Sequence, residues 1–147
     1  MAVNRVKNLT VHEILTRVGT RQTKEERIEE LKKNNCLALR DILKGGFDDS
    51  IEFILPEGAP PYNPADERNP PSNLHKMSKQ FRYFAVGGPG ERLPSVRVEQ
   101  MLIRMLEVIH PRDAELVIAV KDKKLTGKYR GLTKKLVQET FPTLIVK

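Results

Sequence analysis

Apolar positions along the chain recur at helical spacing, in short runs broken by capping residues, glycines and prolines. Thr10 and Glu13 form a T-x-x-E capping box, followed by Val11, Ile14, Leu15 and Val18 on one face and then Gly19. The pattern predicts a first helix ended by that glycine. Thr23 and Glu26 repeat the box, with Ile28 and Leu31 three apart and Asn34-Asn35 as a stop. Leu39, Ile42 and Leu43 carry a third helix to Gly45-Gly46, and Asp49 with Glu52 would cap a short turn, Ile51 to Leu55, ended by Pro56.

Six prolines (Pro56, Pro60, Pro61, Pro64, Pro70, Pro71) then fall in one segment that neither a helix nor a central strand tolerates. Residues 56 to 71 are expected to be a long surface loop, either functional or laid across the surface as a strap. Ser72 is placed to cap a helix carrying Leu74, Met77, Phe81 and Phe84, stopping at Gly87-Gly88-Pro89-Gly90. From Ser95 the stripe Val98, Met101, Leu102, Met105, Leu106 and Ile109 is the strongest helical signal. Pro111 suits the first turn of the next helix, with Leu116, Val117 and Val120 inward and an end near Lys121. Leu132, Leu136 and Val137 mark a last helix from about Thr133 to before Pro142. The expected fold is all-α: one domain over residues 1 to 147, a bundle of short helices with a proline-rich loop.

Composition supports this reading. The chain has 147 residues, 39% hydrophobic and 31% charged, with no Trp and 5% aromatics, so the core must come from Leu, Ile, Val and Met. Cys36 stands alone, which excludes an internal disulfide and fits a reducing compartment. The opening segment MAVNRVKNLT lacks the apolar run of an export signal, and no stretch is long enough to span a membrane.

Charge adds the candidate site. The net charge is +7, and seven basic residues with one acid, Asp122, place +6 of it between positions 121 and 135. The cations are Lys121, Lys123, Lys124, Lys128, Arg130, Lys134 and Lys135, around a loop with Gly127 and Gly131. Glycines allow close approach to a phosphate, helix-start amides carry partial positive charge, and Lys and Arg neutralise the rest. A solvated basic face is the alternative, and Tyr129 could pack on a sugar. The segment Gly87 to Arg92 matches neither nucleotide-binding pattern, and Asp48, Asp49 and Glu52 suit helix caps better than catalysis. His12, His75, His110 and Cys36 are too far apart in the chain for spacing to predict a site. No catalytic group, metal site or cofactor is expected.

The runs ILTRVG (14 to 19), TKEERIEELKKNN (23 to 35) and LRDILKGGFDDSIEFILP (39 to 56) resemble the opening of the N-terminal DNA-binding domain of ATP-dependent DNA ligases from T-even-type bacteriophages. Residues 101 to 142 resemble its closing helices and its K-D-x-(K/R)-x-G loop, with Lys121, Asp122, Lys124 and Gly127 at those positions and one extra residue before the glycine. The whole chain also resembles a family of small proteins from contractile-tailed phages that infect cyanobacteria. The small-protein family brings no function with it, while the ligase resemblance implies an all-helical domain that grips nicked duplex DNA through its backbone and contacts a replication sliding clamp, in the host cytoplasm. The chain has no K-x-D-G adenylation motif, so ligation by it alone is excluded. The expected function is a non-catalytic, sequence-independent DNA-binding module for duplex or nicked DNA. The alternatives are a protein adaptor that binds a replication or host protein through the proline-rich loop, and a virion or host-inhibitor protein.

Overall fold

Each capping box closes as its sequence requires: the threonine oxygen accepts the glutamate amide and the glutamate carboxylate accepts the threonine amide. They start α1 (Val11–Thr20) and α2 (Lys24–Lys33). The computed structural model describes residues 9 to 145, so most of the N-terminal segment read for an export signal lies outside the described residues. The other helices are α3 (Leu37–Phe47), α4 (Leu74–Met77), α5 (Ser95–Val108), α6 (Pro111–Lys121) and α7 (Lys134–Thr140), with 3₁₀ turns at Ser78–Phe84 and Pro89–Arg92. The described chain is all-helical; its one β-bridge joins Phe53 to Ala85.

α6 is the central element, packing on α1, α3 and α5, while α2 lies between α1 and α7. One core results, in which Leu15, Leu39, Leu43, Leu106 and Leu116 are fully buried. No described helix is long and apolar enough to cross a membrane.

Four expectations are corrected by packing. α1 continues through Gly19, and α3 runs through Gly45 and Gly46 to Phe47. These glycines are close-approach positions: a Cβ on Gly46 would lie 2.3 Å from Leu125 Cδ2, and one on Gly45 2.9 Å from Val120 Cγ1. The short capped turn at 51 to 55 does not form. Instead Ile54 N donates to Phe84 O (2.8 Å) and Val86 N to Glu52 O (2.7 Å), so an opposite chain segment satisfies its backbone. Asp48 is fully buried after α3, where its carboxylate accepts from Ser50 N, Ser50 Oγ and Lys44 Nζ. The helix expected from Ser72 is capped by Asn73 and tightens to 3₁₀ after Met77. Its three-residue period puts Ser78, Phe81 and Phe84 along one edge.

Candidate nucleic-acid interface

The segment from Lys121 to Lys135 leaves α6, loops over Leu125 and enters α7 at Thr133, whose oxygen accepts Leu136 N. Its cations divide into three groups. Lys121, which is buried, and Lys123, which is exposed, both bend back onto backbone carbonyls. Lys121 Nζ donates to Pro56 O (2.7 Å), Gly58 O (3.0 Å) and the Asp122 carboxylate, with 3% of its side chain exposed. Lys123 takes a left-handed backbone (φ 58°) and donates to Gly45 O (2.6 Å) and Asp48 O (3.0 Å) at the end of α3, above the Phe53 ring. Burial pushes its ammonium below the usual lysine range. Both side chains are thus committed to the protein's own carbonyls.

Lys124 and Lys134 form surface ion pairs, with Glu57 and Asp49 respectively, each at 3.0 Å. The first pair is 65% and 71% exposed, so it contributes little to stability and opens readily. Lys128, Arg130 and Lys135 are exposed, and their side chains make no hydrogen bond or ion pair among the described residues.

The loop is held against the α1–α2 junction. A Cβ on Gly19 would lie 3.0 Å from Arg130 O, and one on Gly131 (φ 77°) would lie 2.7 Å from Arg27 Nε. The Arg27 guanidinium therefore lies against Gly131, where its Nε also donates to Arg21 O (3.2 Å). Arg27 belongs to the site, and its place on α2, about a hundred residues away, gave no local signal. On α7, Lys135 shares a face with Glu139, which pairs with Lys24 of α2 at 2.7 Å. Arg27, Lys128, Arg130 and Lys135 thus lie on the side built from α2, the loop and α7. Gly127 (φ 84°) has nothing within 4 Å of a Cβ, so its backbone is open to approach. Tyr129 is half-buried against the core, and burial pushes its hydroxyl up to about 12, so it is not the exposed sugar platform envisaged from sequence.

Lys123→Ala should cost about 1–3 kcal/mol in urea unfolding, mainly for removing the lysine donor from Gly45 O, since Asp48 O still accepts Ile51 N. Lys123→Gly should recover part of that loss, because glycine accepts the left-handed backbone without strain. Equal stability of the alanine variant and the parent would show that the two hydrogen bonds contribute nothing.

Two histidines meet although spacing did not predict it. The rings of His12 and His110 stack at 4.4 Å, and Asp113 Oδ1 accepts His12 N (2.9 Å) and lies 3.0 Å from His12 Nδ1. This pins α1 to α6. His110 also caps α6 by accepting Arg112 N, and His75 Nε2 lies 2.9 Å from Leu9 O. Among the described residues no group of three or more His, Cys, Asp or Glu is placed to hold a metal ion.

The proline-rich loop is tied to this region. Gly58 N donates to both Asp122 carboxylate oxygens (3.1 Å each), and Asn63 N donates to Glu107 (2.9 Å). It is a strap over α5 and α6 for at least its first half.

Residues 14 to 127 match the model of a family of unknown function (DUF6433), and the chain belongs to that family. No curated protein matches it. The matched region includes Arg27 and stops at Gly127, just before the three unpaired cations.

Proposed function

We propose that the chain is a non-catalytic module that binds the phosphate backbone of duplex or nicked DNA without reading sequence. The observation that carries this reading is the docking of the Gly127 to Gly131 loop on α2. It sets Arg27 against Gly131, next in sequence to Arg130, while Lys128, Arg130 and Lys135 are exposed and form no ion pair among the described residues. Phosphates supply the missing countercharge, and a glycine with an open backbone permits close contact. Lys121 and Lys123, counted with the basic stretch in the sequence, hold the fold in this reading and do not touch DNA. Lys124 and Lys134 stand at the border, since each can exchange a surface carboxylate for a phosphate. The likeness of residues 101 to 142 to the closing helices of phage ligase DNA-binding domains supports the same reading.

The test is a titration of nicked, intact and single-stranded oligonucleotides at several salt concentrations. Four phosphate contacts give a slope of log K against log salt of about −3.6 on duplex. Converting Lys128, Arg130 and Lys135 together to Glu should bring the slope to about −0.9, while the melting temperature changes little because all three are exposed. A flat salt response of the parent protein, or full binding by the triple variant, rules the proposal out.

A further inference from the structure

On another part of the molecule, α3, the 51 to 55 segment, the 3₁₀ turn at Ser78–Phe84 and the inner faces of α5 and α6 enclose a half-open cavity of about 320 Å³. Its wall is apolar, built from Ile42, Phe53, Phe81, Phe84, Leu102 and Val120. Such a space holds about ten heavy atoms, at the roughly 30 Å³ that a water-sized group occupies in a liquid. Its volume falls at the lower end of the range for small-molecule sites, and it is too small to seat a helix face.

Two polar features of the wall are not explained by folding. Ser78 is 2% exposed, and its hydroxyl has no hydrogen-bond partner among the described protein atoms, although a buried hydroxyl is costly to leave unpaired. At the opening, Lys79 and Arg82 also line the cavity; both are exposed and neither pairs with an acid among the described residues. Arg82 lies over the neighbouring Tyr83 ring at 5.2 Å. Of the three other charged wall residues, Lys44 and Lys121 are committed to protein partners and Asp41 is half-buried. Lys44 is bonded to Asp48 and Leu144 O, Lys121 to the strap, and Asp41 is pushed up from the usual carboxylate range by burial.

We propose that this cavity is a binding site for a small anionic amphiphile, a carboxylate of about ten heavy atoms with an aliphatic or aryl body. The body fills the space between Phe81, Phe84 and Leu102, the carboxylate meets Lys79 and Arg82, and Ser78 gives its hydroxyl to the polar end. The 3₁₀ register underlies the arrangement. Its three-residue period aligns Ser78, Phe81 and Phe84 inward and leaves Lys79 and Arg82, themselves three apart, at the opening. An α-helical continuation of α4 would have rotated these two sets out of line.

The experiment is a titration of the full-length protein with sodium octanoate, and with 1-octanol as the uncharged comparison, followed by methyl signals in NMR. Octanoate should saturate shifts of Ile42, Leu102, Val117 and Val120 with a Kd of about 1 mM or tighter. Lys79→Glu with Arg82→Glu should weaken octanoate at least about fivefold and leave octanol within about twofold, since surface charge acts on the head group alone. Ser78→Ala should raise the melting temperature of the free protein and weaken octanoate, as expected of a hydroxyl that folding leaves unpaired. No shift in the wall at about 10 mM octanoate would overturn the site. Equal binding of octanol and octanoate, unaltered by the charge reversal, would overturn the anionic ligand and leave only an apolar void. Neither outcome bears on DNA binding, which uses a different set of residues.

Discussion

Replacing Lys121 by alanine is expected to destabilise the protein by about 3–5 kcal/mol, the cost of removing one partner from a buried ion pair. The Lys121 and Asp122 side chains are 3% and 6% exposed, and the ammonium also serves the carbonyls of Pro56 and Gly58. Without it, Asp122 keeps the Gly58 amide but loses its cation, and two carbonyls at the start of the strap lose their donor. In urea unfolding the midpoint should fall sharply, and residues 56 to 58 should become the first protease-sensitive site. Lys121→Met combined with Asp122→Asn should recover much of the loss, because no charge is left buried alone. In folded variants the salt slope of DNA binding should be unchanged, which separates a structural lysine from a phosphate contact. A loss below about 1 kcal/mol would mean that the pair is effectively solvated.

Gly90→Ala is expected to be comparably damaging, by more than about 3 kcal/mol, for a purely steric reason. Gly90 is buried, and a Cβ there would stand 1.8 Å from Tyr83 O and 2.7 Å from the Tyr83 carbonyl carbon. The obstacle is backbone, so no side-chain rotation relieves it. The neighbouring Gly87 is the control: it has φ 85° but nothing within 4 Å of a Cβ, so Gly87→Ala should cost only about 1 kcal/mol from backbone strain. Because the 87 to 92 loop presses on the turn that carries Phe81 and Phe84, Gly90→Ala should also disturb methyl signals around the cavity. Stability equal to that of Gly87→Ala would show that the loop lifts away at little cost.

The two capping boxes, the α5 stripe and Pro111 at the start of α6 were legible because each is a local device, completed within about one helical turn. Glycine was ambiguous at Gly19, Gly45 and Gly46. A missing side chain can end a helix or admit a neighbour, and only Arg130, Val120 and Leu125 distinguish the two. The segment 51 to 55 had the composition of a capped turn, but a partner at 84 to 86 offered it better backbone bonds.

The same division holds for the basic stretch. Sequence alone determined how much positive charge lies between Lys121 and Lys135, and that a glycine-containing loop there leads into a helix. Tertiary structure decided which charges remain available. It drew Lys121 and Lys123 onto carbonyls of the strap and of α3, paired Lys124 and Lys134 with distant acids, and brought Arg27 onto Gly131. The physical reason is that charge is a property of a residue, whereas neutralisation depends on what the fold places within about 4 Å of it.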